Sequence, residues 1–229
     1  MTSGVRLLVL GKQGAGKGTQ AVLIARHYGV PHISTGDMFR AASAARTPFG
    51  LKAKEFMKRG ELVPDDIVIG VVAERLAKDD AVDDGFVLDG FPRTRMQAEE
   101  LQRLLGPGGL DAAVDIDVAT DVVLRRLSGR RVCRTCGATY HVDKPPKVDW
   151  LCDRDGGNVV QREDDMPEAI GRRLELYEQE TGPLLDFYEG LGLLVTVDGV
   201  GELDVVFDRI QDGVETVRQL RMTAPRGQQ

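Results

Sequence analysis

The sequence predicts an α/β fold, in which helices cover both faces of a parallel sheet of about five strands. Short apolar runs alternate with amphipathic stretches along the chain, which is typical of β-α-β units. A glycine-rich segment also lies between an apolar run and a helical pattern, at residues 11–19. The chain has 229 residues, of which 42% are hydrophobic, so it can bury a sizeable core.

Five apolar runs are predicted as the strands of this sheet. They lie at residues 5–10, 31–33, 85–88, 112–118 and 193–197. Ligands of such sheets bind at the carboxyl ends of the strands. Four of the five predicted ends carry glycine or polar residues, so we expect a site where these ends meet.

The first strand leads into the segment Gly-Lys-Gln-Gly-Ala-Gly-Lys-Gly-Thr at residues 11–19, which we predict to bind phosphate. Its glycines let the backbone point N–H groups inward, and the helix that follows adds partial positive charge. Lys17 can reach the outer phosphates of a nucleotide. Gly18 occupies the position where the G-x-x-x-x-G-K-[ST] pattern has a serine or threonine hydroxyl for Mg²⁺, and Thr19 comes one residue later. We therefore expect the metal to be held differently, for example through water. The alternative, a glycine turn with a surface lysine, is disfavoured by the flanking elements.

Two stretches interrupt the alternation of strands and helices. Residues 34–63 are predicted to form a small helical flap, and residues 128–165, which contain the cysteines, a separate lobe. The remaining segments, 1–33, 64–127 and 166–220, are predicted to form the core, with one continuous helical pattern over 166–188. Residues 221–229 show no apolar periodicity and are expected to be disordered.

A carboxylate and several arginines lie in or beside these strand ends and insertions. Asp89 ends a predicted strand and could hold Mg²⁺ or its waters, with capping of the next helix as the alternative. Arginine binds phosphate at two points and stays charged, so it suits the stabilisation of a migrating phosphoryl group. For any one arginine, a solvated helix face is the alternative. The arginines concerned are Arg40, Arg93, Arg126, Arg130, Arg162 and Arg173. His27 and His32 are assigned no role.

The cysteines form an array with metal-ligand spacing. Cys133, Cys136, Cys152 and Asp155 follow the pattern C-x2-C-x15-C-x2-D, and a glycine comes after each half. Paired knuckles of this kind hold one tetrahedral zinc ion, for which a carboxylate oxygen is an acceptable donor. Four protein ligands predict a structural Zn²⁺ site. His141 is an alternative fourth ligand that does not repeat the knuckle spacing, and reduced cysteines without a metal are the other alternative.

Charge and composition narrow the function classes. The net charge of −6 argues against a general nucleic-acid binder. The first residues carry no charged leader, and the apolar run after them is too short for a signal sequence or a membrane span. We therefore expect a cytoplasmic protein that binds neither nucleic acid nor membrane. We also expect a monomer, which charge and composition do not decide.

Together these segments resemble the adenylate kinase family, in its branch with a long metal-bearing lid. The motifs that carry the resemblance are the loop at 11–19, Ser-Thr-Gly-Asp-Met-Phe-Arg at 34–40, Asp-Gly-Phe-Pro-Arg at 89–93, Gly-Arg-Arg at 129–131 and Arg-Glu-Asp-Asp at 162–165. The resemblance extends from residue 5 to about residue 220. It implies a P-loop nucleoside monophosphate kinase fold with two mobile insertions. It also implies reversible, Mg²⁺-dependent transfer of the terminal phosphoryl of ATP to AMP, giving two ADP.

The resemblance further implies a role for each matched position. Lys17 would contact the β- and γ-phosphates of ATP, and Arg126 would lie near its adenine. The other ATP-side positions are Gly14, Ala15, Gly16, Gly18, Thr19 and Arg130. The AMP-side positions are Thr35, Arg40, Glu61, Val63, Gly90, Arg93, Gln97, Arg162 and Arg173, with Gln97 reading the adenine edge. Catalysis is implied for Lys17, Arg93, Arg130, Arg162 and Arg173, and ordering of Mg²⁺ through water for Asp37 and Asp89. Gln13 departs from the family, which usually has proline there.

Closure of the flap over AMP and of the lid over ATP would expel water and bring the arginines to the migrating group.

Two alternative functions stay open. One is a related kinase that accepts UMP, CMP or GMP, or uses GTP as donor, although Gln97 favours AMP. The other is a zinc-ribbon nucleic-acid binder or a switch that uses nucleotide as a signal, which the acidic charge and the few aromatics near the cysteines disfavour.

Overall fold

The structure, a computed structural model, describes residues 4–223, with the side chains of all but residues 82 and 83 in that range. The strands are β1 (Val5–Leu10), β2 (His32–Ser34), β3 (Gly85–Asp89), β4 (Ala112–Asp117), β5 (Arg130–Cys133), β6 (Thr139–His141), β7 (Val159–Val160) and β8 (Leu194–Asp198). Five of them form a sheet in the order β2-β3-β1-β4-β8, and every pair is parallel. The predicted fold class is confirmed.

Helices connect these strands. They are α1 (Lys17–Tyr28), α2 (Thr35–Ala44), α3 (Pro48–Arg59), α4 (Asp65–Leu76), α5 (Asp79–Asp84), α6 (Arg95–Leu105), α7 (Thr120–Gly129), α8 (Pro167–Leu176), α9 (Leu184–Gly190) and α10 (Leu203–Thr223). No helix within residues 4–223 combines the length and the apolar character that crossing a bilayer requires.

The core lies on both faces of the parallel sheet. Leu7 and Val9 of β1 pack into one apolar cluster with residues of α1 and α10, whereas Leu8 and Leu10 pack into a second cluster. All four side chains are buried. Because successive residues of a strand point to opposite faces, an unbroken apolar run is what a strand covered on both sides requires.

Two insertions stand apart from this alternation. Between β2 and β3, helices α2 and α3 cross at close distance. The crossing requires glycine at position 50, because a Cβ atom there would lie 2.1 Å from the carbonyl carbon of Ala42. Between α7 and α8, strands β5, β6 and β7 form an antiparallel sheet in the order β6-β5-β7. This second insertion has only a small apolar cluster, which consists of Cys133, Ala138, Cys152 and Val159 with Tyr140 packed against it.

Two predicted element boundaries are wrong. The helical pattern over 166–188 is broken, since α8 ends at Leu176, a π-helical turn covers Tyr177–Thr181, and α9 begins only after Pro183. Proline lacks the N–H that a continuous helix needs and crowds the preceding turn. The expected disorder at 221–229 is also wrong at its start, because α10 continues to Thr223 and Arg221 donates a hydrogen bond to the Leu110 carbonyl. Residues 224–229 lie outside the described range.

Candidate active site

The predicted phosphate loop connects β1 to α1 at the carboxyl end of the sheet. Gly11, Gly14 and Gly16 have φ angles of 125°, 84° and 109°, a region that favours glycine. A Cβ atom at Gly14 would also lie 2.8 Å from Leu127 Cγ. The loop therefore needs glycine at these positions both for its conformation and, at Gly14, for its packing against α7.

Lys17 at the start of α1 turns back over the loop. Its Nζ donates hydrogen bonds to the carbonyls of Gly11 at 2.7 Å and Lys12 at 2.9 Å. Burial lowers the pKa of Lys17 to about 8; the nearby Asp89 opposes this effect, whereas neighbouring arginines, first among them Arg93, add to it. The ammonium group thus lacks a full counter-charge, which a bound phosphate could supply.

Asp89 at the end of β3 faces this loop. A Cβ atom at Gly18 would lie 3.3 Å from Asp89 Oδ2, so the missing side chain at Gly18 leaves space next to the carboxylate. Burial alone would raise the pKa of Asp89, but His32 and the charge of Lys17 outweigh it and lower the pKa overall. His32 Nε2 lies 3.8 Å from Oδ2. An ionised carboxylate at this place fits the binding of Mg²⁺ or of its waters.

His32 was assigned no role from the sequence, and its proximity to Asp89 is a feature that the sequence analysis missed. The two residues are 57 positions apart, and they meet because Ser34 of β2 pairs with Asp89 in the parallel register. The register of neighbouring strands was the only signal that could have brought them together.

Three of the predicted arginines gather where the second insertion returns to the core. Arg130 binds Asp165 through two nitrogens, with Nε at 2.7 Å, and Arg162 binds Asp164 in the same way, with Nε at 2.8 Å. Arg173 donates to the Asp164 carbonyl at 2.9 Å and to its carboxylate at 3.0 Å. We call these five residues the arginine cluster.

The sequence analysis gave no role to Asp164 and Asp165, although both belong to a quoted motif. Both are buried, Asp165 with only 1% of its surface exposed. Buried carboxylates are almost always paired, and each of these orients a guanidinium group. The run of three acidic residues after Arg162 was the available signal.

The site has an excess of positive charge. The cations that act on one another are Lys17, Arg40, Arg93, Arg130, Arg162 and Arg173, and the carboxylates among them are Asp37, Asp89, Asp164 and Asp165. Burial lowers the pKa of Arg173 to about 9, and repulsion from other arginines adds to this effect. Six cations against four carboxylates, in a chain with a net charge of −6, make this cleft suited to a polyanion.

The predicted AMP-side residues lie along the same cleft, between the first insertion and the end of β3. Gly90 anchors this wall, since its carbonyl accepts hydrogen bonds from Thr35 Oγ1 at 2.9 Å and from Arg93 Nε at 2.8 Å. Arg40 and Val63 also line the cleft. Glu61 lines it too and forms an ion pair with Arg59 at 2.8 Å.

Gln97 is buried in the first turn of α6, with only 2% of its surface exposed. Its Oε1 accepts a hydrogen bond from the Arg93 backbone N–H at 2.8 Å, and its Nε2 donates to Asp65 Oδ1 at 2.7 Å. Asp65 Oδ2 in turn accepts a hydrogen bond from Thr94 Oγ1 at 2.9 Å. The side chain that was predicted to read a base is therefore held in one position.

Two further predicted residues have clear partners. Arg126 donates hydrogen bonds to the carbonyls of Ala15 and Gly199, both at 3.1 Å, and so joins the phosphate loop to the segment after β8. Asp37 forms its ion pair with Arg40 on α2. Of the two carboxylates predicted to order Mg²⁺, Asp89 is the one that lies beside Gly18 and feels the charge of Lys17.

The second insertion brings its four predicted metal ligands together. Cys136 Sγ lies 3.6 Å from Cys152 Sγ, and Cys133 Sγ lies 3.3 Å from Asp155 Oδ1. All four ligand atoms lie within 4.8 Å of one another. A zinc ion with Zn–S bonds of about 2.3 Å needs tetrahedral edges of roughly 3.8 Å, so this cluster fits zinc. His141 lies outside it, and its Nδ1 accepts a hydrogen bond from the Asp143 N–H at 3.1 Å.

Comparisons with known proteins agree with this geometry. A family model described as Adenylate kinase matches residues 9–193. The chain is 51% identical over 214 residues to a protein named Adenylate kinase from Carboxydothermus hydrogenoformans, covering 92% of this chain and 100% of that protein. Proteins of the same name from Bacillus subtilis and Listeria innocua are 50% and 53% identical, covering 91% and 89% of this chain and 97% and 95% of their own lengths.

Proposed function

The chain belongs to the adenylate kinase family and is an ATP:AMP phosphotransferase, and we propose that it acts by electrostatic stabilisation in the cleft between the phosphate loop and the arginine cluster. The observation that carries this proposal is the convergence of the arginine cluster, Arg93 and Lys17 on one cleft. A migrating phosphoryl group spreads its charge over three oxygens, and fixed cations stabilise that charge. The attacking phosphate oxygen of AMP is already ionised, so no general base is needed.

On the ATP side, the loop would hold phosphates with its backbone N–H groups at residues 14–19, while Lys17 contacts the β- and γ-phosphates. Arg126, between the loop and the segment after β8, would lie beside the adenine. When bound, Mg²⁺ neutralises phosphate charge and orients the phosphates. Asp89 would hold Mg²⁺ or its waters, and Asp37 would help to order these waters when α2 moves inward.

On the AMP side, Arg40 and Arg93 would bind the phosphate, with Thr35 and Gly90 forming the wall behind it. Gln97 would read the adenine edge, with Val63 and Glu61 lining the base pocket. Arginine suits the phosphate contacts because its planar fork makes two hydrogen bonds at once.

We propose that residues 34–63 and 128–165 are mobile lobes that close over AMP and ATP. Arg130 and Arg162 stand at the entrance and the exit of the second lobe, so its movement would carry both of them. Lys54 of α3 lies 3.2 Å from Glu163, which brings the two lobes into contact beside the arginine cluster. Closure would exclude the water that otherwise competes for the phosphoryl group.

The second lobe would hold a structural zinc ion through Cys133, Cys136, Cys152 and Asp155. All four coordination positions would be filled by protein, which is typical of structural and not catalytic zinc. Since the lobe has a small apolar cluster, the metal would supply much of its stability. We further propose a cytoplasmic monomer that binds neither nucleic acid nor membrane, in line with the acidic net charge.

Replacement of Arg130 tests the mechanism. In Arg130→Ala we expect kcat to fall by about 10³-fold or more, the effect of losing an arginine at a phosphoryl transition state, while KM for AMP changes by less than about threefold. Arg130→Lys keeps a cation beside buried Asp165 and should retain more activity. Arg131→Ala is the matched control and should behave like the wild type. Equal changes in kcat and in KM for AMP would contradict a transition-state role.

A further inference from the structure

We propose that Asp65 is a positioning residue that fixes the orientation of the Gln97 amide and thereby lets the enzyme distinguish 6-amino from 6-oxo purines in the acceptor. The proposal rests on the proposed contact between Gln97 and the acceptor base. It deepens that role, because it assigns base selectivity to a residue that does not itself touch the base.

The hydrogen bonds leave the amide one orientation. The Arg93 backbone N–H can only donate, so it must meet the amide oxygen, and the distance to Oε1 is 2.8 Å. The Asp65 carboxylate can only accept, so it must meet the amide nitrogen, and the distance to Nε2 is 2.7 Å. A half-turn of the amide would put two acceptors together at Asp65 and two donors together at Arg93.

Asp65 is itself held in place. It is the first residue of α4, where the helix dipole favours negative charge, and its second oxygen accepts from Thr94 Oγ1 at 2.9 Å. Thr94 also caps α6, with its Oγ1 accepting from the Gln97 N–H at 3.3 Å. Each oxygen of Asp65 thus has a different partner on the segment that carries Gln97.

The backbone under the amide is fixed from a second side. Thr181 Oγ1, from the π-helical turn, donates a hydrogen bond to the Arg93 carbonyl at 2.9 Å. The Arg93 peptide groups are therefore held at the N–H by Gln97 and at the C=O by Thr181. Gln97 cannot follow a wrongly matched base without breaking several buried hydrogen bonds.

The locked amide has one N–H on Nε2 and one lone pair on Oε1 left for a ligand. A 6-amino purine offers a donor at position 6 and an acceptor at N1, whereas a 6-oxo purine offers the reverse. Turning the amide by half a turn exchanges which of the two it matches. With the amide locked, the wrong purine leaves buried polar groups unpaired, which a site built on hydrogen bonds rejects strongly.

The variant Asp65→Asn tests this inference. Asparagine has nearly the same shape but can donate as well as accept, so the turned Gln97 amide then has one unfavourable contact, at the Arg93 N–H, instead of two. The measurement is kcat/KM for AMP and for IMP, which differ at position 6. We expect the AMP:IMP ratio to fall at least tenfold, while KM for ATP stays within about twofold of the wild type. Asp66→Asn, an exposed neighbour in the same helical turn, is the control and should keep the ratio.

A double-mutant cycle separates positioning from general damage. In a Gln97→Ala background, Asp65→Asn should have no further effect on the AMP:IMP ratio. An unchanged ratio in Asp65→Asn, or an equal fall with and without Gln97, would overturn the inference. Asp65→Ala, which removes the acceptor altogether, is the second variant if Asp65→Asn folds poorly.

Failure of the proposed base contact is distinguishable from failure of this inference. If Gln97 does not read the base, Gln97→Ala alone will leave the AMP:IMP ratio at the wild-type value. That result would overturn the role of Gln97 and the role of Asp65 with it, whereas ATP:AMP transfer by the wild type would stand.

Discussion

Lys17 combines burial with a position at the mouth of the phosphate loop. Its pKa of about 8 is lowered first by burial and then by the arginines around it. In the role proposed for Lys17 the charged form binds phosphate, so the free enzyme would lose its best ATP-binding state as the pH rises through this value. The Lys17 ammonium group donates hydrogen bonds to the loop carbonyls of Gly11 and Lys12.

We therefore expect kcat/KM for ATP to fall above about pH 8, by nearly tenfold per pH unit, because this quantity reports groups of the free enzyme. The profile of kcat should hold to higher pH, since bound phosphate raises the pKa of Lys17. In Lys17→Arg, which is less active but keeps its charge to higher pH, the fall should vanish below about pH 9, where Arg173 begins to lose its own charge. A flat wild-type profile up to pH 9.5 would contradict the role given to this lysine.

Asp115 on β4 is a second residue whose charge is unfavourable in the folded state. It is only 4% exposed, and its Oδ1 has no hydrogen-bond partner within the described part of the chain. Burial and then the charge of Asp117 raise the pKa of Asp115 to about 6, against the smaller effects of Lys17 and Lys12. Since the unfolded chain loses this proton near pH 4, the cost to stability grows from pH 4 to pH 6 and is complete above it.

Asp115→Asn should consequently raise the free energy of unfolding at pH 7.5 by about 1–3 kcal/mol, the upper figure corresponding to two pKa units. At pH 4 the gain should disappear, because the aspartic acid is then neutral in both states. Calorimetric melting at the two pH values measures this, with Asp208→Asn, at an exposed position of α10, as control. Destabilisation at pH 7.5 would show that the ionised carboxylate is needed where it lies.

Single residues could be proposed from the sequence where their chemistry follows from a local motif. The glycines of the loop, Lys17 and Asp89 are of this kind. The partners that orient other side chains of the site could not be proposed, because they come from distant parts of the chain. Asp65 lies 32 residues from Gln97, and Asp165 lies 35 residues from Arg130. Composition and motif spacing do not predict such pairs, because the pairs depend on how the strands and helices are arranged in three dimensions.

At the scale of elements, the five strands of the parallel sheet were predictable because apolar periodicity and turn residues are local. The interruption between α8 and α9 was missed because the apolar spacing continues across Pro183. This interruption has a consequence for the site, since the π-helical turn supplies Thr181 to the Arg93 carbonyl. Irregular backbone of this kind is frequent at functional sites.

The second insertion has only a small apolar cluster, so we propose that a metal held by its four candidate ligands contributes much of its stability. We expect about one zinc per chain in the purified protein, and none in Cys152→Ser. Loss of the metal should lower the melting temperature by at least about 5 °C, because metal binding and folding of the lobe are coupled, while kcat changes modestly. His141→Ala, which removes the rival ligand, should keep its zinc. Retention of zinc by Cys152→Ser would refute the proposed ligand set.

Viewed as a whole, the molecule places a cationic cleft inside an acidic protein. The parallel sheet fixes the phosphate loop and Asp89, while two insertions carry further arginines toward them. Buried cations without full counter-charges cost stability, and bound phosphates would remove that cost. The excess charge of the site thus favours the complex with both nucleotides over the free protein.

The most direct test of this account is the formation of ADP by the purified protein supplied with Mg²⁺, ATP and AMP. We expect two ADP for each ATP consumed, strict dependence on AMP, little transfer to UMP, CMP or GMP, and near-complete loss in Lys17→Met. Absence of ADP, or a clear preference for another nucleoside monophosphate, would contradict the central claim that this cleft moves a phosphoryl group from ATP to AMP.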